Sequence, residues 1–296
     1  MSERLTFADY SPREDGIDGI YRIGADEAGS GGTIHEIAAA FDYELGETPD
    51  VDNLGELIKI VGPGKELQTN IGRVKEVLGT NEDAVSIARS WSINTGFLEA
   101  VDRAYSTAES LDGDVDLALI TGGVRNWMER RANRLLELAQ LRRVGAVLLA
   151  GGNRVMNPSE GPGVEEGMTE ADYLREFISI RLGRVGISSE LLSVASGSGN
   201  EVMAAVVEKS DELVDLSSSR IVVVGNAGNW VQNGGQFLRA AKAKVPSFDS
   251  EGGQLEVVSD SFELGTGEEP TATHQNPFSA AGQIVRNLQE FTRHAN

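Results

Sequence analysis

The sequence predicts an α/β fold, a doubly wound parallel sheet preceded by an N-terminal helical domain. Three observations predict it. After residue 114, short continuous apolar runs alternate with helix-length segments. Four of those runs open directly onto Gly-rich turns. Residues 33–111, by contrast, carry a helical apolar period with no short β-branched run between them. Strands that are apolar throughout are buried on both faces, and connections through helices make them parallel with right-handed crossovers. Such a sheet is Rossmann-like.

Taken in order, residues 1–33 mix Gly, Asp and Ser with little periodicity and read as irregular. Ile34, Ile37, Ala38 and Phe41 then share one helix face, and Leu54, Leu57, Ile58 and Val61 share another. A third helix around Ile71, Val74 and Leu78 ends at Gly79. Asn81 is placed to cap a fourth, with Ala84, Ile87, Ala88 and Trp91 on its stripe. The stretch 111–114, Leu-Asp-Gly-Asp, favours a turn and sets the domain boundary, 1–113 against 114–296.

Val115–Thr121 is the first strand and opens onto Gly122-Gly123. The helix after it places Met128, Ala132, Leu135 and Ala139 on one face. Val144–Ala150 is the second strand and opens onto Gly151-Gly152-Asn153. A helix over about Thr169–Leu182 follows, with Thr169 as N-cap and Asp172 at capping-box spacing. Leu191–Ala195 leads to Ser196-Gly197-Ser198-Gly199 and a helix through Val214. Arg220–Val224 leads to Gly225-Asn226-Ala227-Gly228 and another helix. Leu255–Ser259 is the last strand, and Ala280–Thr292 the closing helix.

In a sheet of this kind every strand-to-helix loop emerges at one edge, and ligands bind there at the topological switch point. Glycines permit close backbone approach, and helix starts offer N–H donors to anions. Gly122, Gly123, Gly151, Gly152, Ser196, Glu201 and Asn226 are therefore expected to line one small-molecule cleft. No GK[ST] follows any of these loops, and the first strand lacks a GxGxxG, so neither a P-loop nor a dinucleotide fingerprint is present. Glu160, Glu170 and Glu201 are the carboxylates expected near the cleft edge, and Trp230 is the aromatic best placed for stacking.

Six arginines fall in residues 125–143 against only Glu129 and Glu137. Arg125, in a first helical turn, opposes the helix macrodipole unless it meets an anion. Arg131 flanks the apolar stripe, and it is expected to contact an anionic or zwitterionic ligand beside backbone N–H groups. The three histidines do not follow strand ends, and there are no cysteines. A Ser-His-Asp triad, a thiol nucleophile and a Cys or His metal site are thereby disfavoured, and no catalytic residue is assigned.

The chain has 296 residues, with 46 acidic against 26 basic side chains and a net charge of −20. The acids concentrate in 1–113, which holds 22 against 9 bases, while 114–296 holds 24 against 17. Phosphate-backbone binding needs a basic face, so nucleic acid is not an expected partner. No run of about 18 apolar residues and no secretory h-region occur, so membrane insertion is not expected and a cytoplasmic location is.

The order of these motifs resembles the YdcF-like domain family, which includes SanA- and ElyC-type envelope proteins. The matching pieces are DLALITGG (116–123), Arg131 with Ala132, AVLLAGGNR (146–154), TEADYL (169–174), Gly186 with ISSELL, and Ser196 with Glu201. The resemblance covers roughly 114–245. It implies a Rossmann-like sheet and S-adenosylmethionine or a nucleotide-like molecule as ligand, with no reaction assigned. Here Gly197, Gly199 and Val202 replace part of the family's Ser-x-Asn-Thr-x-x-Asn pattern, and the insertion Pro158–Met168 is a candidate flap. The alternative reading is a noncatalytic regulatory or interaction module, linked to cell-envelope processes, whose acidic helical domain contacts a protein partner.

Overall fold

The computed structural model describes residues 33–46, 51–61, 67–94, 108–195, 199–226, 230–248, 255–259, 264, 276–282 and 284–285. The chain divides into two compact units, Met1–Ala104 with Ser261–Asn296, and Tyr105–Asp260. These units run differently from the 113/114 boundary read in the sequence, because the C-terminal segment groups with the first unit. Gly282 shows why: a Cβ there would lie 2.8 Å from Ile71 Cγ1, so only glycine admits this approach.

Every regular element among the first unit's described residues is a helix. Helices α1 (Thr33–Ala40), α2 (Val51–Val61), α3 (Leu67–Leu78) and α4 (Glu82–Asn94) follow in order. Ile34, Ile37, Leu57, Val61, Ile71, Val74, Ala84, Ala88 and Trp91 are buried. Gly79 closes α3 at φ +84°, a conformation that favours glycine, and Asn81 Oδ1 accepts the Ala84 N–H at 2.9 Å. Ile87 lies 41% exposed, so the α4 stripe runs through Ala84, Ala88 and Trp91 without it. The side chain of Leu54 and residues 286–292 of the expected closing helix lie outside the described residues. Helical backbone is present at 277–282 and 284–285.

The second unit is a five-stranded parallel sheet in the order β3-β2-β1-β4-β5. Its strands are β1 (Val115–Thr121), β2 (Val144–Gly152), β3 (Glu190–Val194), β4 (Ile221–Val224) and β5 (Leu255–Val258). β1 pairs with β2 from Val115↔Val144 to Thr121↔Ala150, and with β4 from Leu117↔Ile221 to Ile120↔Val224. The intervening helices are α5 (Arg125–Leu141), α7 (Gly199–Leu213) and α8 (Trp230–Lys244). Between β2 and β3 runs α6, built from Glu170–Tyr173, a π-helical stretch Leu174–Ser179 and Ile180–Arg184. Leu119, Ile120, Leu148, Leu149 and all of β4 are buried, as strands covered on both faces require. The α/β, Rossmann-like architecture is thus present, with the helical region preceding it in the chain.

Two elements differ from their sequence reading. β2 continues through Gly151 and Gly152, which pair with Ser193 and Val194, so this glycine pair belongs to the ladder and not to a loop. A Cβ on Gly151 would lie 2.5 Å from Ala171 Cα and 2.7 Å from Ala171 N. The glycine is what lets α6 press onto the strand. The helix expected over Thr169–Leu182 extends to Arg184 and widens into a π stretch. Its start is as expected: Thr169 Oγ1 accepts the Asp172 N–H at 3.2 Å, and Asp172 Oδ2 accepts the Thr169 N–H at 3.1 Å.

Candidate functional site

The strand order reverses between β1 and β4. From β1 the chain winds outward through β2 and β3, then returns to β4 and winds outward through β5. The loops leaving β1 and β4 therefore diverge to opposite faces, and this is where α/β sheets hold ligands. Gly122-Gly123 leaves β1, and Gly225-Asn226 leaves β4.

A buried arginine shapes the first of these loops. Arg131 is 0% exposed. Its Nη1 donates to Thr121 O at 2.7 Å, to Thr121 Oγ1 at 2.9 Å and to Gly122 O at 2.8 Å. The guanidinium thus grips the end of β1 from beneath the loop. Thr121 Oγ1 also accepts from Asn233 Nδ2 of α8 at 3.0 Å, which ties β1 to the helix that follows β4.

A charged cluster covers the β1 and β2 ends. Arg154, just past β2, directs each guanidinium nitrogen to a different partner. Its Nε donates to Glu170 Oε1 at 2.6 Å, Nη1 to Glu160 Oε1 at 2.9 Å, and Nη2 to Gly123 O at 3.0 Å. Glu170 is the first residue of α6, and its Oε2 accepts the Gly152 N–H at 3.3 Å. A Cβ on Gly122 would collide with that same carboxylate, so the absence of a side chain there is what makes room for it. Glu160 comes from the 3-10 turn Pro158–Glu160, where Asn157 caps the turn and its N–H donates back to Glu160 Oε1 at 3.1 Å. The other oxygen, Glu160 Oε2, accepts the Arg125 N–H at the start of α5 at 2.9 Å.

Charge pairing fixes the ionisation here. Burial opposes the charge on Glu160, but hydrogen bonds from Arg154 and from the Arg125 and Asn157 N–H groups outweigh it and hold its pKa below the usual 4.5. Burial likewise opposes the Arg154 cation, and Glu160 and Glu170 more than restore it, leaving its pKa raised. Tyr173 lies next along α6 and donates to Glu129 Oε1 at 2.6 Å. Burial first, then this carboxylate, push its hydroxyl up to about 12, so it stays protonated at neutral pH and is no general base there.

The expected site residues divide accordingly. Gly122, Gly123, Gly152 and Glu170 come together around Arg154. Asn226 lies on the β4 side, buried, with its Nδ2 3.4 Å from Trp127 O of α5 and its Oδ1 receiving no hydrogen bond. Gly151 sits in the ladder beneath α6, and Arg131 acts through Thr121 and Gly122. Ser196 and the side chains of Glu201 and Trp230 lie outside the described residues. The sequence reading passed over Arg154, Thr121 and Asn233 as site residues. Only Arg154 carried a signal, as a basic residue directly after a strand-end Gly-Gly-Asn.

Among the described residues, no three His, Asp or Glu side chains converge in a metal-binding group, and no helix is long and apolar enough to cross a membrane. Comparison with known proteins identifies no relative: no family model matches the chain, and neither a curated protein nor a solved structure does.

Proposed function

We propose that this chain is a YdcF-like small-molecule-binding protein that takes S-adenosylmethionine or a nucleotide-like ligand at the C-terminal edge of its sheet. The observation that supports the reading is what stands at one edge of the sheet: Gly122 and Gly123 after β1, Gly152 and Glu170 beside them at the end of β2, and Asn226 after β4 on the other side of the switch point. The Glu170 carboxylate lying over Gly122 and Gly152, and Asn226 after β4, supply fixed polar contacts at this edge. Arg131 is a positioning residue in this reading, holding the β1 turn to which the ligand is apposed. No group in the cluster is set up as a nucleophile, so binding is the activity proposed and no reaction is assigned.

The test is a thermal-shift series on the full chain with S-adenosylmethionine, adenosine nucleotides and sugar nucleotides. A ligand that binds only the folded state stabilises it by about 2.7 kcal/mol at a hundredfold excess over Kd. A saturable rise in Tm with an adenosine-containing compound supports the proposal. A Tm unmoved by every compound overturns it.

A further inference from the structure

We infer that the outer edge of β3 is a self-association surface, where two copies of this chain pair β3 against β3, antiparallel, to form one continuous sheet. β3 is the last strand on its side, so its outward N–H and C=O groups have no strand partner among the described residues. The two edges of the sheet are not alike. In β5, at the far edge, Leu255, Val257 and Val258 are buried, whereas no residue of β3 is. An edge that faces solvent is ordinarily blunted by lysine, proline or a bulge. From Val185 to Ala195 there is no lysine, arginine or proline, and Glu190 is the single charged residue, in a chain that is 24% charged.

The surface beside this edge is apolar. Val185, on the way into β3, is 60% exposed, and Ile180 of α6 is 52% exposed. Ser179 Oγ of α6 lies 2.9 Å from Ser189 Oγ, just ahead of β3, so this side of the helix borders the edge. Gly183 falls one turn further along the same side, and a Cβ there meets nothing within 4 Å. Helix α6 therefore presents two small residues along the border, with Ile180 next to them.

Charge selects the occupant. Each copy carries −20, so two copies repel over most of their surfaces and approach closely only where charge is sparse. A basic partner, which that charge attracts, finds no acidic cluster on this edge to hold it. The strand is also self-complementary. A two-fold axis at Leu192, the middle of Glu190–Val194, lets all five residues pair. Leu192 then meets its own copy, Leu191 meets Ser193, and Glu190 meets Val194. The two Glu190 carboxylates stand four residues apart along the strand, about 13 Å, which exceeds the Debye length of about 8 Å. Leu191 packs against the core cluster that holds Ile178 and Leu182 of α6, and Ser193 shares its face. The axis runs normal to the sheet, so both copies of α6 lie on that same face, flanking the seam.

Sedimentation velocity on the full chain, across concentration and salt, tests this together with three variants. Wild type is expected to sediment at twice the 31.6 kDa of one chain, and salt to strengthen association by screening the repulsion between copies. Ser193→Lys, on an exposed position of the seam, is expected to weaken association at least about tenfold with little change in Tm. The chain has no cysteine, so Leu192→Cys is expected to form a disulfide with its own copy under mild oxidation, and Glu190→Cys is not. A wild type that stays monomeric at high micromolar concentration, in low and high salt alike, overturns the inference and leaves the edge to a strand from another protein. So does a dimer that salt weakens, or one that folded Ser193→Lys leaves intact. If Ser193→Lys does not fold, the cysteine pair decides: crosslinking at 192 that does not exceed that at 190 overturns the pairing.

Discussion

One guanidinium nitrogen of Arg131 bonds three oxygens at the end of β1, two of them backbone carbonyls. The side chain is fully buried beside Met128, Ala132 and Leu135, so its removal leaves both a cavity and unsatisfied oxygens. Arg131→Ala is therefore expected to lower stability by about 2–5 kcal/mol, read as a fall in the urea midpoint. A loss below about 1 kcal/mol is incompatible with the packing described. Helical periodicity placed Arg131 at the margin of the apolar stripe but said nothing of whether its head meets a ligand or the chain itself. Arg154, Glu160 and Glu170 were harder still to read. Their meeting point depends on how loop residues 153–169 fold back over Gly123 and Arg125, and no period in the sequence encodes that.

The elements were more legible, because burial imposes its own pattern. The apolar runs of β1, interrupted only by the exposed Asp116 before its terminal Thr121, and of β4 read directly as strands covered on both faces, and the Thr169–Asp172 spacing marked the start of α6 because a capping box needs that geometry. The end of β2 was misread because glycine suggests a turn, whereas here it permits contact. Gly151 lies under the Ala171 backbone with no room for a methyl group, and backbone, unlike a flexible side chain, yields little. Gly151→Ala is expected to cost about 1–3 kcal/mol in denaturant unfolding, as over-packing does. Gly72→Ala provides the contrast. Gly72 lies in α3, where an added Cβ meets nothing within 4 Å, and alanine is expected to stabilise that helix by up to about 1 kcal/mol. Equal effects at the two positions would contradict the close approach of α6 to β2.

For the molecule as a whole, acidity is the dominant property, and one acid can be followed through a pH titration. The Glu160 pKa is depressed in the fold relative to 4.5, so the folded state binds its proton less readily than the unfolded chain does. Its contribution to stability is complete above about pH 4.5 and is lost as pH falls through the lower folded value. The difference in urea midpoint between wild type and Glu160→Gln is accordingly expected to hold near neutrality and to shrink below about pH 4.5. A difference that stays constant down to about pH 3 would show that the side chain acts by shape and not by charge.

The strand order also governs how the molecule is made. β1 stands at the centre of the sheet, yet it acquires its two neighbours at very different times during synthesis. β2 follows after a single helix, whereas Asp116 and Arg220, which join the starts of β1 and β4, are 104 positions apart. While the ribosome adds the intervening residues, one edge of an apolar strand has no native neighbour, and such an edge is a template for wrong pairing. Emergence of Ile221–Val224 closes that edge, so the time the ribosome takes to reach residue 224 sets how long the nascent chain is open to aggregation.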